Sequence, residues 1–301
     1  LQYYVIMNSN SFFKAHYLTI RDNDYKWGIV CTTTGMQIIG RHSTYPIGTH
    51  PSTHQSVKSG RILNEYQLVY ITKGEGYFES NSCERTKVKA GDVLFLFPGE
   101  WHRYKPADET GWTEYWVGFK GVNIDRRVEH NFFKPVEPIL HIGYSSEIEN
   151  LYLEIIRETE NERTEFQILV SSIVLHILGE VLFKKHNKLF ENNPNVEKIN
   201  IARNLMKENI SNHIPLEKIA EQLNVSYTWF RQAFKQYTGF SPAQYQLQLK
   251  LNRAKELLIN SNLNISEIAY ELGFDNASHF CTFFKSREKM TANEYRLRHR
   301  F

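Results

Sequence analysis

Cysteine is scarce in this chain: Cys31, Cys83 and Cys281 are the only three in 301 residues. They form no Cys-x-x-Cys pair and no Cys/His cluster, and an odd count argues against a disulfide framework, so a reducing compartment, the cytoplasm, is expected. Long apolar runs are also missing. No uninterrupted stretch approaches the ~20 residues that a membrane span requires, so no membrane partner is expected. The opening LQYYVIMNSNSFFKAHY has neither the basic start nor the continuous apolar core of a signal peptide. Strong charge is absent as well. The net charge is +3, with 41% hydrophobic and 23% charged residues, ordinary values for a soluble globular protein.

The length suits two domains of about 100–150 residues each. The small positive charge is unevenly placed. From Val196 to Phe301 there are 15 Lys+Arg against 10 Asp+Glu, a surplus of five, whereas the rest of the chain carries a deficit of two. A basic domain joined to a slightly acidic one suggests a polyanion partner for the first alone, although such an excess is also common on solvated faces.

Hydrophobic periodicity divides the chain. From about Ile38 to Phe119, short β-rich runs such as QLVYIT, GYFES, VLFLF and EYWVGF alternate with Gly, Pro, Asn and Asp turn signals, which predicts an antiparallel sandwich or barrel. Near Tyr144 the period lengthens. Two amphipathic helices follow, the second carrying Phe166, Leu169, Val170, Ile173, Val174, Ile177, Leu178, Val181 and Leu182 on a stripe broad enough for the barrel and for a second subunit. The expected organisation is an α+β chain: a β-rich domain over 1–143, amphipathic and dimer-forming helices over 144–190, a linker over 191–195, and a second, all-α domain over 196–301.

That last segment says the same thing twice. Leu216, Ile219, Ala220 and Leu223 form the stripe of a short helix, Asn224 and Val225 a turn, and Ser226 the cap of a second helix that buries Phe230 and Phe234. Thr228, Arg231, Gln232 and Lys235 are left on the outer side. Gly239 can take the left-handed cap, and Ser241 and Pro242 start another helix. The second copy repeats the plan with Ile265, Ile268, Ala269 and Leu272, a turn at Gly273, a cap at Asp275 or Asn276, and Phe280 with Phe284 buried. Ala277, Ser278, His279 and Thr282 fall on or near its outer side, and Lys285 sits where Lys235 sat. Each copy reads as a helix-turn-helix whose second helix fits a DNA major groove. Between them, Pro242 to about Ile259 is one helix of roughly 27 Å at ~1.5 Å per residue, long enough to set two reading helices about one DNA turn apart.

The segments LEKIAEQLNVS, FRQAFKQYTGFSP, RAKELL, ISEIAYELGF, SHFCTFFK and the closing YR, in this order over about a hundred residues, resemble the AraC-type (AraC/XylS) transcription regulators. The resemblance implies double-stranded DNA and RNA polymerase as partners of an activator or a repressor, the two alternatives staying open; a homodimer is expected through the two amphipathic helices. The resemblance also implies that Thr228, Arg231 and Gln232, and Ala277, Ser278, His279 and Thr282, touch DNA. Chemistry agrees for Arg231, which can donate twice to guanine, and for Gln232, which can pair with adenine; Trp229 reads as packing. The second copy departs from the pattern at Lys289, Met290 and Ala292, where the first has Gly239, Phe240 and Pro242. A lysine in a left-handed cap costs on the order of 1 kcal/mol.

Within the β-rich half, KAGDVLFLFPGEWHRY resembles the second half of a cupin barrel motif. Cupin enzymes bind metal through a His-x-His pair and a Glu on the first motif plus a His on the second. The corresponding RILNEYQLVYITKGEG has no histidine, which leaves His102 alone, while His42, His50 and His54 sit in a Pro/Ser/Thr-rich loop. No metal, cofactor or catalytic residue is expected. The stretch from Gly91 to Phe119 resembles the sensor domain of the family's arabinose-responsive branch, and this implies effector contacts at Arg61, His102, Tyr104, Glu114 and Trp116. A monosaccharide suits such a set, since aromatic faces cover its C–H side while Arg and Glu satisfy its hydroxyls. Trp101, Trp112, Tyr115 and Trp116 read equally as barrel core. Two alternatives stay open: a metal-dependent cupin enzyme with a DNA-binding tail, and a constitutive DNA-binding dimer without ligand.

Overall fold

The computed structural model describes residues 2–8, 11–43, 45, 59–188, 193, 195–211 and 214–300, with the backbone alone for the first of these segments. The chain divides into two compact units, Leu1–Leu189 and Phe190–Phe301. The first is built on antiparallel strands and the second wholly on helices.

In the first unit, strands β1 (Gln2–Asn8) and β2 (Ser11–Tyr17) and most of β3 (Val30–Ile39) precede what the sequence marks as β. The expected start near Ile38 is therefore the end of the third strand. Missing too from the sequence reading is α1 (Val122–Glu129), a helix of eight residues that buries only Ile124. The remaining strands are β4 (Arg61–Ile62), β5 (Tyr66–Ser80), β6 (Cys83–Lys89), β7 (Asp92–Leu96), β8 (Trp101–Pro106), β9 (Trp112–Lys120) and β10 (Ile139–His141). Their main path runs β1-β2-β3-β9-β5-β7-β10, while β5 also pairs with β6 and β8, and β4 with β8.

Strand β5 explains how one ribbon serves two sheets. The sequence divides it into QLVYIT and GYFES with a turn at the glycines, but it is one strand of 15 residues. Its pairing with β7 ends at Tyr70, its register against β9 slips between Ile71 and Lys73, and past Gly74 the strand leaves β9 to pair with β6 and β8. A bulge bends a strand and increases its twist, so the sheet folds over on itself and encloses an interior.

Successive side chains on a strand alternate between faces, and this gives the unit two cores. One, with Tyr70, Phe95, Val117 and Phe119, lies under the helices α2 (Ser146–Thr159) and α3 (Phe166–Asn187). The other, with Phe13, Val69, Phe78, Leu94, Trp112 and Trp116, fills the enclosed side. Helix α3 is long and apolar enough by length and composition to cross a membrane. Its buried stripe, Val170, Ile173, Val174, Ile177, Leu178 and Val181, is however committed to this domain. Its Gln167 accepts from the Cys31 N–H at 3.1 Å and donates to the Cys31 carbonyl at 3.0 Å, next to a bulge in β3, and to the Thr19 carbonyl at 3.1 Å. Leu169 and Phe183 on the same helix, and Leu153 on α2, remain exposed.

The second unit begins with α4 (Asn195–Glu208), a helix the sequence reading passed over, whose Ile199, Ala202 and Met206 join the first copy's core. The first copy is α5 (Leu216–Gln222) and α6 (Tyr227–Thr238); the second is α8 (Ile265–Glu271) and α9 (Ala277–Glu288). Local chemistry places the ends as expected. Asn224 takes φ 51° in the first turn, and the Ser226 side chain accepts from the Trp229 N–H. Gly239 caps α6 at φ 78°. In the second copy Gly273 makes the turn at φ 66°, where any Cβ would also sit 2.6 Å from the Ser211 carbonyl oxygen. Of the two residues expected as cap, Asn276 fills the role, accepting from the His279 N–H at 2.9 Å.

Helix α7 (Pro242–Asn260) joins the copies and belongs to both cores: Tyr245 and Leu249 pack on Phe230 and Phe234, and Leu251, Ala254, Leu257 and Leu258 on Phe280 and Phe284. Its Lys250 is nearly buried, donates to the Gly273 carbonyl at 3.3 Å and lies 4.9 Å from the Phe274 ring. The last helix, α10 (Ala292–His299), closes the second core through Tyr295 stacked edge-on against Phe284, and Arg296 donates to the Leu258 and Leu263 carbonyls at 3.2 and 2.6 Å.

Lys289 does occupy the left-handed cap of α9, at φ 62°. An L-residue pays roughly 1–2 kcal/mol for that conformation and glycine does not. Lys289→Gly is therefore expected to raise stability by about 1 kcal/mol in urea denaturation; an unchanged or lower midpoint contradicts the strain.

Candidate functional site

The candidate residues gather in two places, one on each unit. On α6 the buried Phe230 and Phe234 fix which side faces solvent. Thr228, Arg231, Gln232 and Lys235 are all exposed there, and at spacings of three and four they form one stripe. The Arg231 guanidinium lies 5.9 Å from the Tyr227 ring. Trp229 is half-buried against the first core, as packing requires. On α9 the matching stripe is Ser278, His279, Thr282 and Lys285, all exposed. Ala277 differs from expectation: it is half-buried and packs against the second core, because the first turn of α9 leans on it. His279 stands 3.8 Å from the Asp275 carboxylate, with both side chains in solvent. The two copies thus present parallel sets of donors and cations on helices whose opposite faces are locked by phenylalanines.

The enclosed side of the β unit gathers the other candidates. Strand β9 points Trp112, Glu114 and Trp116 inward by its alternation, and β3 brings Gln37 opposite Glu114. Trp116 stacks on Phe13 of β2 with ring centroids 5.7 Å apart. Behind it, Gly35 leaves the room that the indole occupies, since a Cβ there would lie 2.3 Å from the Trp116 ring. From the other sheet come Arg61 on β4 and His102 and Tyr104 on β8, with Arg61 paired to His102 in the ladder. The Arg61 guanidinium donates to the Tyr104 hydroxyl at 2.9 Å and approaches the His102 Nε2 at 3.4 Å. All five residues implied by the resemblance therefore line one interior.

Burial dominates the electrostatics. His102 has its pKa lowered to about 4, first by desolvation and then by Arg61. The ring is thus neutral at pH 7, and its surroundings fix the tautomer: Nδ1–H donates to the Glu100 carbonyl at 3.1 Å, leaving Nε2 to accept from Arg61. Both nitrogens of the one histidine a cupin metal would use are so engaged. Glu114 is raised to about 7, by desolvation, against the stabilising effects of the Gln37 amide and of Arg61. Burial raises Tyr104 strongly as well. Gln37 donates to Glu114 Oε1, while Glu114 Oε2 and the Trp112 indole nitrogen are buried without a hydrogen-bond partner.

Other candidates disperse. Tyr115 belongs to the helix-facing core and donates to Glu149 at 2.8 Å, and Trp101 donates to the Ser59 carbonyl at 2.9 Å. His42 is exposed in a turn with φ 55°, and His50 and His54 lie outside the described residues. Gln37 and Trp112 were not singled out for the site by sequence; the two-residue spacing of Trp112, Glu114 and Trp116 is the signal that could have found the second.

Comparison with known proteins places these features. A profile described as an AraC-like ligand binding domain matches residues 45–178, and one described as a helix-turn-helix domain matches 219–298. The lactose operon transcription activator of Staphylococcus xylosus is 28% identical over 238 residues, 78% of this chain and 85% of that protein. The raffinose operon transcriptional regulatory protein RafR of Pediococcus pentosaceus is 23% identical over 252 residues, 79% and 87% of the two chains. A solved transcriptional regulator with an AraC-type DNA-binding domain from Chromobacterium violaceum is 32% identical over 36% of this chain and 96% of its own, with a TM-score of 0.33. With both profiles matched in this order along one chain and relatives aligned across both units, the protein belongs to the AraC-type family of transcription regulators, effector-controlled DNA-binding proteins rather than enzymes.

Proposed function

We propose that this regulator works in the cytoplasm as a homodimer that reads two successive major grooves per chain and answers to a sugar held inside the β unit. The observation that carries the sugar reading is the interior itself: tryptophan and tyrosine faces beside Arg61, Glu114 and Gln37, the mixture that a polyhydroxylated ring with an apolar underside requires. Relatives named for lactose and raffinose operons favour the same class. Effector contacts are assigned to Arg61, His102, Tyr104, Glu114 and Trp116. The exposed Leu169, Phe183 and Leu153 of α2 and α3 supply the dimer face, and RNA polymerase is the partner through which an activator acts. Because Phe13 of the N-terminal hairpin stacks on Trp116, a sugar against that indole is felt by the hairpin. Binding then shifts the regulator only through a difference in affinity between its two arrangements.

In the DNA-binding unit, Thr228, Arg231, Gln232 and Lys235 contact the first groove and Ser278, His279, Thr282 and Lys285 the second, with Ala277 contributing at most its methyl edge. Arg231→Ala is expected to cost ~1–3 kcal/mol and to relax preference at one base pair, whereas Lys235→Ala weakens all sequences alike and flattens the salt dependence. Binding assays on DNA selected from a random pool measure both; equal loss on every sequence for Arg231→Ala reassigns it to phosphate. A thermal-shift titration with D-glucose, D-galactose, lactose and raffinose tests the effector half, since a ligand at a hundred times its dissociation constant stabilises by ~2.7 kcal/mol.

A further inference from the structure

Trp112 begins β9, belongs to the core of the enclosed side and is only 2% exposed. Its ring is wedged tightly. Tyr104 lies 6.0 Å away and Tyr45 6.4 Å away in edge contact, and a Cβ on Gly76 would come within 2.8 Å of the indole. Packing of that kind accounts for the ring but not for its nitrogen. The indole N–H is a donor only, and buried indole donors usually find an acceptor. This one has none. Two residues further along the same face, Glu114 Oε2 is likewise buried and unpaired, although its other oxygen is held by Gln37. Leaving one buried polar atom unsatisfied is costly, and leaving a donor and an acceptor unsatisfied on the same strand face is the pattern expected where a ligand completes them.

We propose that Trp112 is a specificity-determining residue of the effector site, its indole N–H donating to a hydroxyl oxygen of a neutral, polyhydroxylated effector whose neighbouring hydroxyl is taken by Glu114. The assignment rests on the sugar reading above and adds a residue to it. Hydroxyls both accept and donate, so they suit a site that offers the Trp112 donor beside two unpaired acceptors, Glu114 Oε2 and Gln37 Oε1; an ammonium cannot accept from the indole, and a carboxylate cannot donate to Glu114. A site built to bond a hydroxyl rejects an analogue lacking it, because its own buried groups are then left unpaired.

Trp112→Phe keeps most of the ring and removes the donor. The full-length variant and the unaltered protein are titrated by thermal shift and calorimetry with D-glucose, D-galactose, lactose and raffinose, and then with monodeoxy analogues of whichever of these binds. The expected result is a ligand-free melting temperature no lower than that of the unaltered protein, a roughly tenfold loss of affinity for the parent sugar, and one deoxy analogue that the two proteins bind equally well. Equal affinity of both proteins for the parent sugar overturns the assignment, as does a loss of the same size for the parent sugar and every analogue, which marks a packing role. An unaltered protein that responds to none of the four sugars overturns instead the sugar reading.

Discussion

Phe280→Ala is expected to destabilise the DNA-binding unit by ~3–5 kcal/mol, the range for deleting a fully buried aromatic ring. The residue touches Phe274 and Phe284 at centroid distances of 5.5 and 5.8 Å, in a core that α7, α8, α9 and α10 share, so no neighbour can move in without pulling a helix with it. The first copy has its own core around Phe230 and Phe234. Loss should therefore concentrate in the second copy. Urea denaturation reads the stability change, and binding to the selected DNA should fall by a hundredfold or more, because one of two linked contacts is gone and the survivor no longer gains from its partner. Sugar binding in the β unit, which has separate cores, should be unaffected. A variant with native stability, or with native DNA affinity despite the lost ring, refutes the two-core description.

Glu114→Gln should separate stability from response. The folded carboxyl titrates at about 7 against 4.5 for an ordinary glutamate. Below pH ~4.5 the group is protonated whether or not the chain is folded, and it has no effect on stability. As pH rises from there to ~7 the unfolded chain gives up a proton that the folded one retains, so stability falls, by on the order of 3 kcal/mol in all, and stays lower above pH 7. Glutamine is neutral throughout and can still accept from Gln37. The variant is thus expected to be more stable than the parent at pH 8 and no different at pH 4, with the gap opening between. His102 titrates the other way, losing stability as pH falls from 6.5 towards about 4, and does so in both proteins. Sugar affinity should drop about tenfold as a charge-assisted bond becomes a neutral one. A stability difference that is the same at pH 4 and pH 8 counts against a buried, ionising Glu114.

Legibility followed how local the determinants were. The helix-turn-helix copies could be read because their signals are short-range: paired phenylalanines four apart, a serine or asparagine before a helix, a glycine after it. Helix α4 escaped because its buried face is only Ile199, Ala202 and Met206 among polar neighbours. Strands β1 to β3 escaped for a related reason. β2 buries residues on both faces, so SFFKAHY has no clean alternation, and β3 carries Thr and Gly at its centre. The glycines near Gly74 truly mark a backbone irregularity, but tertiary pairing turned it into a bulge within one strand rather than a turn between two. In the interior, Arg61, His102, Tyr104, Glu114 and Trp116 came from resemblance. The unpaired nitrogen of Trp112 could not, since whether a donor is satisfied depends on atoms distant in sequence.

Because α7 is a single unbroken helix rooted in both helical cores, the separation of the two reading helices is set by the protein before any DNA arrives. On the proposed two-groove reading, recognition extends beyond base identity to arithmetic: the spacer between the two contacted boxes must match a length that the rod already fixes, and promoters are sorted by that count as much as by their letters.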